Sequence, residues 1–188
     1  MTRAQRIIPR RRTVFLGCEG ESGQAYAQVL YDIIREQGID VHLEIVLLSP
    51  GAGSPSAKIK LAAQKIAEHE RKREKFWSRA VLLDSDLVDN DASERNNTEQ
   101  LASSSRIFIV WQKPCHEAFL LRHLPNCKQL RPPTSALAAS TLRAEWPGYE
   151  KPMTRIKVAK VVGRSHVWQA ASAESELRSF LTDIGWQE

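Results

Sequence analysis

The chain has 188 residues, 42% of them hydrophobic and 26% charged, with nine Gly and nine Pro, which suits one compact domain with a full core and excludes two large ones. No apolar run approaches the roughly 20 residues that span a membrane, and the arginine-rich start offers only Ile7 and Ile8 as an apolar pair, so neither a span nor a secretory signal is expected and the expected location is cytoplasmic. Cys18, Cys115 and Cys127 leave an odd thiol without paired spacing, which argues against a disulfide framework, and the net charge of +5 tolerates an anionic partner without demanding one.

Residues 1–12 form a basic arm, with arginines at 3, 6, 10, 11 and 12 and little to bury; it reads either as an uneventful tail or as a contact for a phosphate backbone. Thr13 to Gly17 is a strand that stops at Cys18, Glu19, Gly20 and Glu21. Ser22 is placed to cap a helix over 23–37, with Tyr26, Leu30, Ile33 and Ile34 on one face and Gly38 as its stop. Val41 to Leu48 is a second strand, followed by turn residues 49–54. Ser54 and Pro55 then open a helix to about Lys75. Its first half carries Ile59, Ala62, Ala63 and Ile66; its second, EHERKREK, is a solvated face or a nucleic-acid surface.

Ala80 to Leu83 is a third strand, and it too stops at carboxylates, Asp84 and Asp86. The polar stretch 87–105, with a short helix over 94–102, is a loop or a flap over that strand end. Arg106 to Trp111 is a fourth strand. A helix follows from Pro114 to about His123, burying Phe119, Leu120 and Leu124, and further helices are expected over 135–146, 153–162 and 173–184. Strands alternating with helices predict an α/β fold, with a parallel sheet of about four strands in 13–125, flanked by helices, and a helical C-terminal part, 126–188, packed on it.

The turn GCEGESGQ fails as a phosphate loop. Its glycine spacing is one residue too long, the lysine is missing, and two glutamates would repel a phosphate. Carboxylates at strand ends instead invite a divalent cation. If the first and third strands are neighbours, Glu19, Asp84 and Asp86 meet at the carboxyl end of the sheet, where open α/β sheets bind ligands. Bare carboxylates repel one another, and Mg²⁺ or Mn²⁺ reverses that sign while keeping positions open for phosphate oxygens. His116, His123, Cys115 and Cys127 match no closed zinc spacing, and no nucleophile elbow is present.

A strand ending in C-E-G-E, a later D-x-D, and the segment PCHEAFLLRH from Pro114 to His123 resemble the RloB-like proteins, whose core is a Toprim domain related to that of OLD-family nucleases. The resemblance runs from about Thr13 to Val162. It implies a Toprim-like Rossmannoid core and a Mg²⁺- or Mn²⁺-dependent nuclease acting on DNA or RNA, including tRNA. It also implies an ABC- or SMC-like ATPase as partner, in bacterial antiphage defence or beside restriction loci.

By the match Glu19 is the Toprim glutamate, Asp84 and Asp86 hold metal, Glu117 is a further acid of the site, and Lys151, in GYEKP, is the family's later lysine. With the fourth strand beside the first, Glu117 would reach the other acids from the first turn of its helix. Arg10, Arg11, Arg12, Lys113 and Lys151 are the expected nucleic-acid contacts, and a homo-oligomer is admitted. The chain departs from the family pattern at Lys113, where Asn is usual, at Gln24, where an acid is usual, and at His116, where Phe is usual. These departures leave open the number of metals. Two alternatives stand beside the nuclease: a non-catalytic binding subunit, and a haloacid-dehalogenase-like phosphatase suggested by DSDLV, although that motif normally lies on a first strand and no later acidic pair is found.

Overall fold

The computed structural model describes residues 11–48 and 53–187. Most of the basic arm, Arg10 included, and the turn residues 49–52 lie outside the described residues. Within them the order is β1 (Arg12–Cys18), α1 (Glu21–Glu36), β2 (Val41–Leu47), α2 (Pro55–Glu70), β3 (Ser78–Asp84), α3 (Ala92–Ser104), β4 (Phe108–Gln112), α4 (His116–Leu121), α5 (Ser135–Glu145), α6 (Arg155–Ala159), α7 (Arg164–Ala171) and α8 (Ser175–Asp183). The strands form one parallel sheet in the order β2-β1-β3-β4, so the protein is an α/β fold with helices on both faces and a helical C-terminal part.

Strand alternation divides the interior into two layers. Val14, Leu16 and Cys18 of β1, with Ala80 and Leu82 of β3, face α1, α4 and the C-terminal helices, where Tyr26, Leu30, Phe119, Leu142, Phe180 and Trp186 share one apolar cluster. Phe15, Val81, Leu83 and Trp111 face the other way, onto Ile59, Ala62 and Ile66 of α2 and Ala102 of α3. Gly17 packs closely on the second of these layers: a Cβ there would lie 3.0 Å from Leu48, 3.1 Å from Val81 and 3.2 Å from Phe15.

The neighbouring of β1 and β3 brings their carboxyl ends together, as the acids require, with Cys18 in register with Leu82. The fourth strand does not lie beside the first. It pairs with β3 on the far side, Asp84 opposite Gln112. Helix α1 starts at Glu21, capped by the extended backbone of Gly20 rather than by Ser22, and ends at Gly38 with φ +69° as its stop signal predicts. Ser54 and Pro55 open α2, the Ser54 hydroxyl accepting from Ala57 N at 3.4 Å.

That helix stops at Glu70, short of Lys75. Beyond it the charged run has nothing to bury, and the Glu70 carboxylate bonds Phe76 N at 3.0 Å and Arg79 at 2.8 Å. Helix α3 is longer than its sequence signal and leaves Arg106 outside β4, with φ 53°. Helix α7 has no counterpart in the sequence reading; its buried face is only Val167, Ala170 and Ala171. Among the described residues no helix is long and apolar enough to cross a membrane.

Candidate acidic site at the carboxyl end of the sheet

Each acid is placed by the element before it. Glu19 follows the last residue of β1, and its Oε2 accepts the Asp84 main-chain N–H at 3.1 Å, which ties two strand ends together through a side chain. Asp84 is the last residue of β3. Beyond it the chain is pinned to the turn after β4, since Ser85 N donates to Gln112 O at 3.1 Å and to Pro114 O at 2.9 Å, and Asp86 N to Pro114 O at 3.0 Å. Asp86 is exposed, with its Oδ2 accepting the Ser135 hydroxyl of α5 at 2.7 Å. Glu117 stands in the first turn of α4, 2% exposed, where Oε1 accepts the Tyr149 hydroxyl at 2.7 Å and forms an ion pair with Lys151. Because α4 follows β4 after a short turn, Glu117 reaches the cluster across β3, without the strand adjacency expected for it.

The charges converge on Asp84. Burial pushes its carboxyl well above the ordinary aspartate range, and the charges of Glu19, Asp86 and Glu117 push it further, while Lys151 opposes them. Its Oδ1 is buried and accepts no hydrogen bond. Glu19 is also raised, chiefly by burial, against the Asp84 amide and the Lys58 charge, which lower it. Glu117 behaves in the opposite way. Burial raises it, yet the bonds from Lys151 and Tyr149 prevail and hold it at about 2.

A cleft of about 390 Å³ opens here, lined by Glu19, Asp84, His116, Lys151 and the first turn of α1. Among the described residues no three Asp, Glu, His or Cys side chains already stand at coordinating distance. The donor set is nonetheless that of a hard divalent cation: carboxylate oxygens, one of them buried without a donor, in a cluster whose like charges repel. Glu19, Asp84 and Asp86 are the residues that could hold Mg²⁺ or Mn²⁺.

The expected nucleic-acid contacts are divided. Lys151 is in the cluster. Lys113 lies after β4, paired with Glu176 at 2.6 Å. Arg11 and Arg12 are at the opposite end of β1, a seven-residue strand and so about 20 Å from Glu19. Arg11 faces Asp40 at 3.4 Å; the Arg12 guanidinium lies 4.3 Å from the Trp77 ring centre and donates to Ile184 O at 3.4 Å.

His123 is bound on both ring nitrogens, to Phe119 O and the Tyr26 hydroxyl, each at 3.0 Å, a structural arrangement in which burial depresses its pKa to about 3. Sequence reasoning missed Tyr149, two residues before Lys151 in the same GYEKP segment, and Gln112, whose amide lies 3.0 Å from His116 Nδ1. The apolar run before Gln112 was the available signal, since a polar residue closing a buried strand stands at the same carboxyl edge as the acids. No family model, no curated protein and no solved structure matches this chain.

Proposed function

We propose that the protein is a metal-dependent phosphodiesterase acting on nucleic acid, a nuclease of the Toprim type that its motifs resemble. One observation carries the reading: Asp84, at the end of β3 with one buried oxygen that no donor satisfies, sits in the combined field of Glu19, Asp86 and Glu117. Lys151 pairs with Glu117 and opposes the charge on Asp84, and a divalent cation among Glu19, Asp84 and Asp86 would offset the repulsion that remains. Glu19, Asp84 and Asp86 would hold Mg²⁺ or Mn²⁺, which when bound neutralises charge on a phosphodiester and activates it toward water.

The side chains divide the remaining work. Glu19, fixed through one oxygen to the Asp84 main-chain N–H, would ligate the cation through the other. Glu117, held ionised by Lys151 and Tyr149, is suited to orienting charge rather than to exchanging protons. Lys151, 59% exposed on its side chain, offers its ammonium to an anionic substrate at the rim. An ABC- or SMC-like ATPase is the proposed partner.

The test is incubation with plasmid, single-stranded DNA and a tRNA pool, in Mg²⁺, Mn²⁺ or chelator, with and without such an ATPase. It is paired with Mn²⁺ titration calorimetry of Glu19→Gln and Asp84→Asn. Both variants should fold and bind Mn²⁺ at least ten-fold more weakly, and cleavage should disappear with chelator. Unchanged metal affinity in both would remove the site. Metal binding without cleavage would favour a binding subunit, and release of phosphate from monoesters alone would favour a phosphatase.

A further inference from the structure

The sheet has another opening at its amino end, away from the acids. A hollow of about 310 Å³ lies between the first residues of β3 and β4 and helix α8, lined by Ser78, Phe108, Ser179, Phe180 and Asp183. Phe108 opens β4 in register with Ala80 and, by strand alternation, is on the side of Val110, toward the C-terminal helices. Phe180 is 2% exposed and belongs to the core, whereas Phe108, at the strand end, stays 40% exposed. Against this apolar surface stand the side chains of Ser78, Ser179 and Asp183, none of which makes a hydrogen bond or ion pair among the described residues. A mostly apolar hollow with a few convergent polar groups is the usual form of a small-ligand site, and this one has room for a single planar ring system.

The rim is cationic. Arg12 reaches from the ring of Trp77, the residue before Ser78, to the carbonyl of Ile184, the residue after Asp183, and so stands at the edge that those neighbours share. Arg12 is exposed, and its two contacts hold the guanidinium in place while leaving N–H donors for a further acceptor. A ligand that fits has a flat apolar body, N–H donors for a carboxylate and a negative group for Arg12. An arginine side chain of a protein partner meets the first two requirements and is repelled by the third. A nucleotide with an unpaired base meets all of them: its ring stacks on Phe108, its amino edge donates to Asp183, and its phosphate takes Arg12.

We propose that this hollow is a pocket for one unpaired nucleobase that carries an amino group, with the phosphate of that nucleotide against Arg12. Uracil and thymine place a carbonyl oxygen where cytosine has its amino group, so the Asp183 carboxylate disfavours them. The pocket goes beyond the nuclease reading: it lies at the other end of the sheet, and its occupancy needs neither the acids nor a cation.

The experiment is a residue-resolved amide NMR titration in chelator with four probes: cytidine monophosphate, uridine monophosphate, ribose 5-phosphate and N-acetylarginine amide. Wild-type protein, Phe108→Ala, Phe108→Tyr, Asp183→Asn and Glu19→Gln are compared, with melting temperatures on the same samples. The cytidine nucleotide should shift the amides of Ser78, Phe108, Ser179 and Asp183, and the uridine nucleotide should bind about ten-fold more weakly. Phe108→Ala should weaken the cytidine nucleotide about ten-fold, and Phe108→Tyr should keep its affinity. Asp183→Asn should bring the cytidine and uridine nucleotides to equal affinity without moving the melting temperature. Glu19→Gln should bind as wild type does.

Absence of shifts at these amides, or an undiminished affinity in Phe108→Ala, overturns the pocket. Ribose 5-phosphate binding as tightly as the cytidine nucleotide also overturns it, by reducing it to a phosphate contact at Arg12, and so does equal affinity for the two nucleotides in wild type. Tighter binding of N-acetylarginine amide would replace the base with a cationic side chain of a protein partner. Nucleic-acid cleavage without these shifts removes the pocket alone; the shifts without any cleavage keep the pocket and count against the nuclease alone.

Discussion

Two carboxyls a short distance apart are held in opposite states, and their substitution should move stability in opposite directions. Asp84 is raised, so the folded protein binds its proton more tightly than the unfolded chain does. Its favourable contribution is complete below the unfolded carboxylate value of roughly 3.9 and is lost as pH rises above it. Glu117 is lowered to about 2 by Lys151 and Tyr149, after burial is overcome, so its contribution is present above roughly pH 4.3 and is lost as pH falls toward 2. In chelator at pH 7, Asp84→Asn should therefore melt higher than wild type by about 2–4 °C, corresponding to about 1 kcal/mol, and the gain should shrink toward pH 4. Glu117→Gln should lose about 1–3 kcal/mol, because it leaves the Tyr149 hydroxyl and Lys151 without their anion. Thermal melts across this pH range check both signs. A lower melting temperature for Asp84→Asn at pH 7 would mean that the fold already compensates the Asp84 charge.

At the level of elements, the tight crossing at Gly17 is the feature on which the acids' positions depend. Phe15, Val81 and Leu48 converge on the space a side chain would need, and they belong to β1 itself, to β3 and to the residue just after β2. Gly17→Ala should cost about 1–3 kcal/mol through overpacking, seen as a lower midpoint in urea with an unchanged slope; a midpoint equal to wild type would show that these side chains yield freely. Much of this architecture was legible in the sequence because strand and helix periods differ, and because β1 and β3 are apolar runs that stop at Glu19 and Asp84. What was not legible depends on long-range contact. Nothing local tells β4 to pair with β3 rather than β1. Gly20 takes the cap from Ser22 because the Ser22 hydroxyl is engaged by Met153, 131 residues away. Helix α7 is fixed by packing of a face too small to leave a periodic signal, and the links from Tyr149 to Glu117 and from Gln112 to His116 join residues whose meeting only the fold determines.

The whole molecule separates its charges along the sheet, acids gathered at the carboxyl ends of the strands while Arg11 and Arg12 stand at the amino end of β1, already engaged with Asp40, Trp77 and Ile184. On the nuclease reading this separation assigns the arm a role in grip rather than in chemistry. The strand between Arg12 and Cys18 is seven residues, about 20 Å. A duplex advances about 3.4 Å per base pair, so about six base pairs separate a bond at the acids from a phosphate at the amino end. Deleting residues 2–10 should weaken binding of a duplex of 20 base pairs and flatten the dependence of log affinity on log salt, by about 0.9 for each phosphate the arm had neutralised. A substrate of four base pairs is too short to reach both ends, so the same deletion should leave its affinity and cleavage unchanged. Titration of both substrates at several salt concentrations tests the span. Equal losses on short and long substrates would place the arm's grip at the acids instead, and an unchanged salt slope on the long duplex would leave residues 2–10 without a part in nucleic-acid binding.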